Sequence, residues 1–102
     1  MSELDYPSEE DLAKIRDWPL TKDWCEAFEF IKSLWTWPDW GWREAAQPNG
    51  STEYTISTGG WSGNEDIINA MRENRMLWSL CWLLSRRGGH YEFQSREVRL
   101  FR

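Results

Sequence analysis

Apolar residues recur at helical spacing in the first third of the chain. Trp24, Ala27, Phe28, Ile31, Leu34 and Trp35 fall at i, i+3, i+4 and i+7, the stripe of an amphipathic helix with one face on a core. Thr21 stands where an N-cap is wanted, and Glu26 and Glu29 take the solvent side. Upstream, Ser8 followed by Glu9, Glu10 and Asp11 reads as another helix start. A serine oxygen caps free amides there, and acids favour the positive end of the helix dipole. That first helix turns Leu12 and Ile15 inward and stops before Pro19. Between Trp35 and Trp42, Pro38 and Gly41 break regular structure and predict a loop.

The period then changes. Gln47-Pro48-Asn49-Gly50-Ser51 is a turn signal. From Glu53 to Thr58 the chain alternates, with Tyr54 and Ile56 on one face and Thr55 and Ser57 on the other, a half-buried strand. Ser62 and Glu65 fit a capping box opening a helix through Ile67, Ile68 and Met71, which Asn74 closes. Met76 to Leu84 is apolar almost throughout, a pattern open to helix or strand. Gly88-Gly89 suits a two-residue hairpin loop and favours the strand. Pairing outward from that loop sets Arg87 opposite His90, Arg86 opposite Tyr91, Ser85 opposite Glu92 and Leu84 opposite Phe93. This register gathers Trp78, Leu80, Trp82, Leu84, Tyr91 and Phe93 on one face, to be packed on Trp24, Phe28 and Ile31. The predicted order is α-α-β-α-β-β. It describes an α+β domain in which two N-terminal helices pack on a small β-α-β-β sheet. A strand, a return helix and a neighbouring strand run parallel through a right-handed crossover.

With 102 residues the chain is expected to form one domain with a modest core. Residues 1–46 make its acidic, helical, Trp-rich part and residues 52–102 its β-α-β-β part. Cys25 and Cys81 show no metal-ligand or redox spacing, which favours free buried thiols over a disulfide and predicts no metal or cofactor. Neither a secretion signal nor an apolar run of membrane-spanning length is seen, so a soluble, cytoplasmic protein is expected.

The net charge of −5 hides a split. Residues 1–66 carry fourteen acids against five bases, whereas residues 67–102 carry three acids against seven arginines. An acidic front with an arginine tail argues against direct DNA binding, which needs a basic footprint. Arginine without lysine suits forked contacts to carboxylates or phosphates, or the two halves neutralise each other across the fold.

Nine tryptophans are many for this length. Trp24, Trp35, Trp78 and Trp82 lie on predicted core faces. Trp37, Trp40 and Trp42 project from the predicted loop, either as a plug over the core or as an exposed partner-binding surface.

Two glycine-rich turns carry the remaining candidate chemistry. Thr58, Gly59, Gly60, Trp61, Ser62, Gly63 and Asn64 form one; Arg86, Arg87 and His90 flank the other. A strand-helix-strand path brings both to one sheet edge. There a helix N-terminus, close-approaching backbone and two guanidinium groups would bind an anion such as a nucleotide, with Trp61 stacking on a base. A purely structural reading stands beside it: the glycines serve a tight turn and the arginines solvate a hairpin. The spacing fits neither a Walker loop nor a dinucleotide fingerprint. His90 could pair with Glu65 or Glu92 as acid and base, or activate Ser62, but one histidine without a nucleophile motif does not make an enzyme.

Ser57–Glu65 together with Ser85–Tyr91 resembles a pattern of small uncharacterised proteins of bacteriophages and prophages, over roughly Tyr54 to Phe93. The resemblance implies a phage setting, in which small acidic proteins bind and block host or defence machinery. The leading expectation is therefore a non-catalytic, phage-type binding protein that engages a host or defence protein. The alternative is a small anionic-ligand binder using the glycine loop and the Arg/His hairpin.

Overall fold

Three helix starts among the described residues, at Glu9, Trp24 and Arg75, are set by side-chain oxygens. In the computed structural model, which describes residues 6–19 and 23–95, Ser8 accepts from the Asp11 amide and the Asp11 carboxylate reaches back to the Ser8 amide. This reciprocal cap opens α1 (Glu9–Arg16). The Asp23 side chain caps α2 (Trp24–Leu34) by accepting from the Cys25 amide; Thr21, expected in that role, lies outside the described residues. The α2 stripe is as predicted, with Trp24, Ala27, Phe28 and Ile31 buried.

The Trp-rich stretch is more ordered than a loop. Trp37 adopts a left-handed backbone, with φ 62°, and leads into the single turn α3 (Pro38–Gly41). Proline is preset for a first helical position. The chain then enters β1 (Trp42–Ala46), a strand that the pattern does not announce because Glu and Ala favour strands poorly. The turn after it closes a hairpin, Gln47 N–H donating to Ser51 O at 2.8 Å, onto β2 (Thr52–Ser57).

The capping box expected at Ser62 is not formed. Helix α4 (Ser62–Glu73) begins one residue earlier, with Trp61 at the cap and no side-chain cap bond, and Ser62 Oγ is instead 2.9 Å from Tyr6 Oη. Asn74 ends α4 as expected but also starts α5 (Arg75–Cys81), its Oδ1 accepting from the Leu77 amide. The first half of the expected strand at 76–84 is therefore helical. Arg, Met and Leu favour helix, and Leu77 and Cys81, one turn apart, are its buried positions. Strand β3 (Trp82–Arg86) begins only afterwards and pairs with β4 (His90–Ser95).

All neighbouring strands are antiparallel in the order β1-β2-β4-β3. The parallel pairing is thus corrected: β4 inserts between β2 and β3. The register also moves by one. Arg86 faces His90 and Ser85 faces Tyr91, with a bulge between Trp82 and Leu84. Gly88 and Gly89, at φ 87° and 80°, belong to a three-residue loop with Arg87 rather than forming a loop of two. The helices cover one sheet face, where Phe28 stacks on Tyr54 at 4.2 Å and meets Phe93 at 5.5 Å. Phe93 is fully buried, but Trp82 and Leu80 are 41% and 56% exposed, so the continuous apolar face expected along 78–84 is broken at the helix-to-strand junction. The α+β class holds, with one more strand and two more short helices than the sequence pattern marks. No helix among the described residues is long and apolar enough to cross a membrane.

Candidate functional site

The two glycine-rich turns do meet, and one hydrogen bond joins them. Ser57 faces His90 across β2 and β4, and the next amide, Thr58 N–H, donates to Gly89 O at 2.9 Å. The juxtaposition survives the corrected topology because β2 points at the hairpin tip whether it runs beside β3 or beside β4.

Several of the expected ligand residues face inward. Thr58 is 1% exposed and its Oγ1 accepts from the Gly60 amide. Asn64, also 1% exposed, clamps the backbone: its Oδ1 accepts from Thr36 N–H at 2.9 Å and its Nδ2 donates to Thr36 O at 3.0 Å and Thr58 O at 3.3 Å. Both of its amide hydrogens are already donated to backbone carbonyls, so this buried side chain has no donor left for a ligand. Trp61 folds back over the first turn of α4 and packs on Tyr6, ring centroids 4.7 Å apart. A Cβ at Gly63 would lie 2.5 Å from its Nε1, so Gly63 is the space into which the indole fits. Trp61 is a lid on the helix start rather than a free stacking platform.

Gly59, Gly60, Ser62, Arg86, Arg87 and His90 remain at the surface. The Arg86 guanidinium lies 3.9 Å from the Glu92 carboxylate. His90 Nδ1 is 2.7 Å from Ser57 Oγ. Ser57 was missed as a candidate, and the signal for it appears only once β2 is placed beside β4. Neither Ser62 nor Glu65 takes the partner role expected of it, and no carboxylate among the described residues hydrogen-bonds the His90 ring. A Ser–His contact without an orienting acid lacks the third member of a nucleophilic triad.

The tryptophan cluster proves contiguous with this end of the sheet. Trp37 and Trp40 are 49% and 61% exposed, and both rings lie on Gly59, where an added Cβ would come within 3.1 Å of Trp40. Trp42 is the exception. It is 5% exposed, packs against Trp35 and Phe28, and bonds Glu44 through Nε1, so it belongs to the core and presents no ring to a partner. The result is one surface: two indoles on a glycine loop, joined through Gly89 to an arginine-bearing hairpin tip.

No family model, curated protein or solved structure matches the chain.

Proposed function

We propose that this chain is a non-catalytic binding protein that engages a protein partner through the surface built on Trp37, Trp40 and the Gly59 loop. The observation that carries this reading is the exposure of two neighbouring indoles on an ordered support. Trp37 is the one non-glycine among the described residues with a positive φ, a backbone region that costs energy for such a residue. Tryptophan is among the residue types most enriched at interface hot spots. In line with the resemblance to phage proteins, the partner is a host or defence protein that binding would block.

Wild-type protein immobilised on beads should capture a stoichiometric partner from bacterial lysate, and the purified partner should rebind. The Trp37→Ala, Trp40→Ala double variant should lose it while melting at the wild-type temperature. Equal capture by wild type and variant would refute the surface.

A second reading, a small phosphorylated ligand at the same end of the sheet, draws on the Thr58–Gly89 bond that holds the two turns together. Its test is a thermal-shift screen with nucleotides and oligonucleotides. A ligand at 100 times its Kd stabilises by about 2.7 kcal/mol, and Arg86→Ala with Arg87→Ala should abolish the shift.

A further inference from the structure

A groove of about 490 Å³ lies between α2 and β1, lined by Glu29, Lys32, Ser33, Trp35, Pro38 and Glu44. Its chemistry is specific. The buried Trp42 donates its Nε1–H to Glu44 Oε2 at 2.8 Å, which fixes the carboxylate in place. Lys32 Nζ approaches the same oxygen at 3.7 Å. Glu44 Oε1 has no hydrogen bond or ion pair among the described residues, and neither has the Glu29 carboxylate. The groove thus already holds one ammonium group and retains an oriented acceptor for another cation. Trp35 and Pro38 give it an apolar wall for methylene groups, the surroundings that long basic side chains prefer. Glu26 lies one turn before Glu29 on α2, and Asp39 follows Pro38. Both add negative charge on the elements that border the groove, where Lys32 is the basic residue among those that line it.

We propose that this groove receives a lysine or arginine side chain of the protein partner, its stem along Trp35 and Pro38 and its charged head between Glu29 and Glu44. This rests on the reading of the chain as a partner-binding protein and adds the partner's chemistry: a basic side chain presented next to the apolar spot that the two indoles cover. A guanidinium can take Glu44 Oε1 without displacing Lys32.

The test needs no identified partner. Titration of isotope-labelled protein with n-butylammonium or butylguanidinium, followed by amide and indole NMR signals, should give saturable shifts at the Trp35 and Trp42 indoles and at Glu29, Lys32 and Glu44. n-Pentanol, the neutral analogue, should not. Glu29→Gln with Glu44→Gln should weaken cation binding about fivefold or more, since glutamine can still accept from Trp42 but removes the charge. Lys32→Gln, by removing the resident cation, should tighten it about twofold. Absence of saturation, equal binding of pentanol, or indifference to all three substitutions would overturn the proposal. The two readings separate cleanly. A groove without cation affinity beside intact Trp37- and Trp40-dependent capture removes this inference alone, whereas a cation-binding groove with indole-independent capture removes the other.

Discussion

Two asparagines show how much of this small fold depends on single polar side chains. Asn74 caps α5 through Oδ1 and donates through Nδ2 to the Ile15 and Trp18 carbonyls at 2.9 and 3.2 Å, tying α1 to the α4–α5 junction. Asn64 ties the α2–α3 connection to the glycine loop. Either Asn→Ala change leaves buried backbone groups unpaired, so each should cost about 2–3 kcal/mol in denaturant melts. A ligand-binding asparagine would instead be nearly silent for stability. Burial also sets the alkaline limit. It pushes the Cys81 thiol from 9.0 up to about 12, with a smaller contribution from Cys25, and raises the Tyr54 phenol too. The unfolded chain releases these protons first, so the stabilising contribution is complete below about pH 9 and is lost as pH climbs toward the folded values. Stability should therefore fall between about pH 9 and 12. Cys81→Ala should move the onset of that fall toward the tyrosine range, readable from urea midpoints at successive pH values. In the native state Cys81 should resist iodoacetamide at pH 8 and react only on unfolding.

At the scale of elements, legibility followed the density of local signals. The α2 stripe, the Ser8 start, the alternation of β2 and the helix through Ile67, Ile68 and Met71 are all written in the period of their apolar residues, and all form. Strand β1 carries one buried residue, Trp42, and is held by pairing with β2 rather than by its own preference. The junction at Trp82 was hidden for another reason. An apolar run suits both geometries, and what decides it is Asn74, a helix stop that is also a helix start. The consequence can be measured. Phe93 is fully buried between α2 and α5 and should cost about 3–5 kcal/mol on change to Ala. Trp82 is 41% exposed, its ring stacked on Trp78 at 5.9 Å and its Nε1–H donated to Ser85 Oγ. Its change to Ala should cost about 1–2 kcal/mol. Equal losses would mean that β3 begins earlier than Trp82. The edge position of β3 fits this division: its bulge and Arg86 discourage a further strand from adding there.

For the molecule as a whole, the informative feature is that segments far apart in sequence share one end of the sheet. The sequence could announce two glycine-rich turns and a tryptophan-rich connection, and it could argue that the turns converge. It could not reveal that the indoles lie on the first turn, because that contact depends on the left-handed Trp37 and on α3, neither of which has a periodic signature. Nor could it separate the tryptophan that is core, Trp42, from the two that are surface. The joint itself is testable through its glycines. Gly88 and Gly89 both sit at positive φ, so an alanine at either pays the left-handed penalty of about 1–2 kcal/mol. At Gly88 the new methyl meets only the His90 ring, at an ordinary van der Waals distance of 3.4 Å. At Gly89 it runs into Thr58 Oγ1, a buried group engaged by the Gly60 amide. Gly88→Ala should thus cost about 1–2 kcal/mol and leave the far loop undisturbed. Gly89→Ala should cost clearly more, shift the amide signals of Gly59 and Gly60, and alter the environment of Trp37 and Trp40 in fluorescence. If Gly89→Ala disturbs the hairpin alone, the indole surface and the arginine tip are neighbours without being coupled, and a partner would have to recognise them as separate contacts.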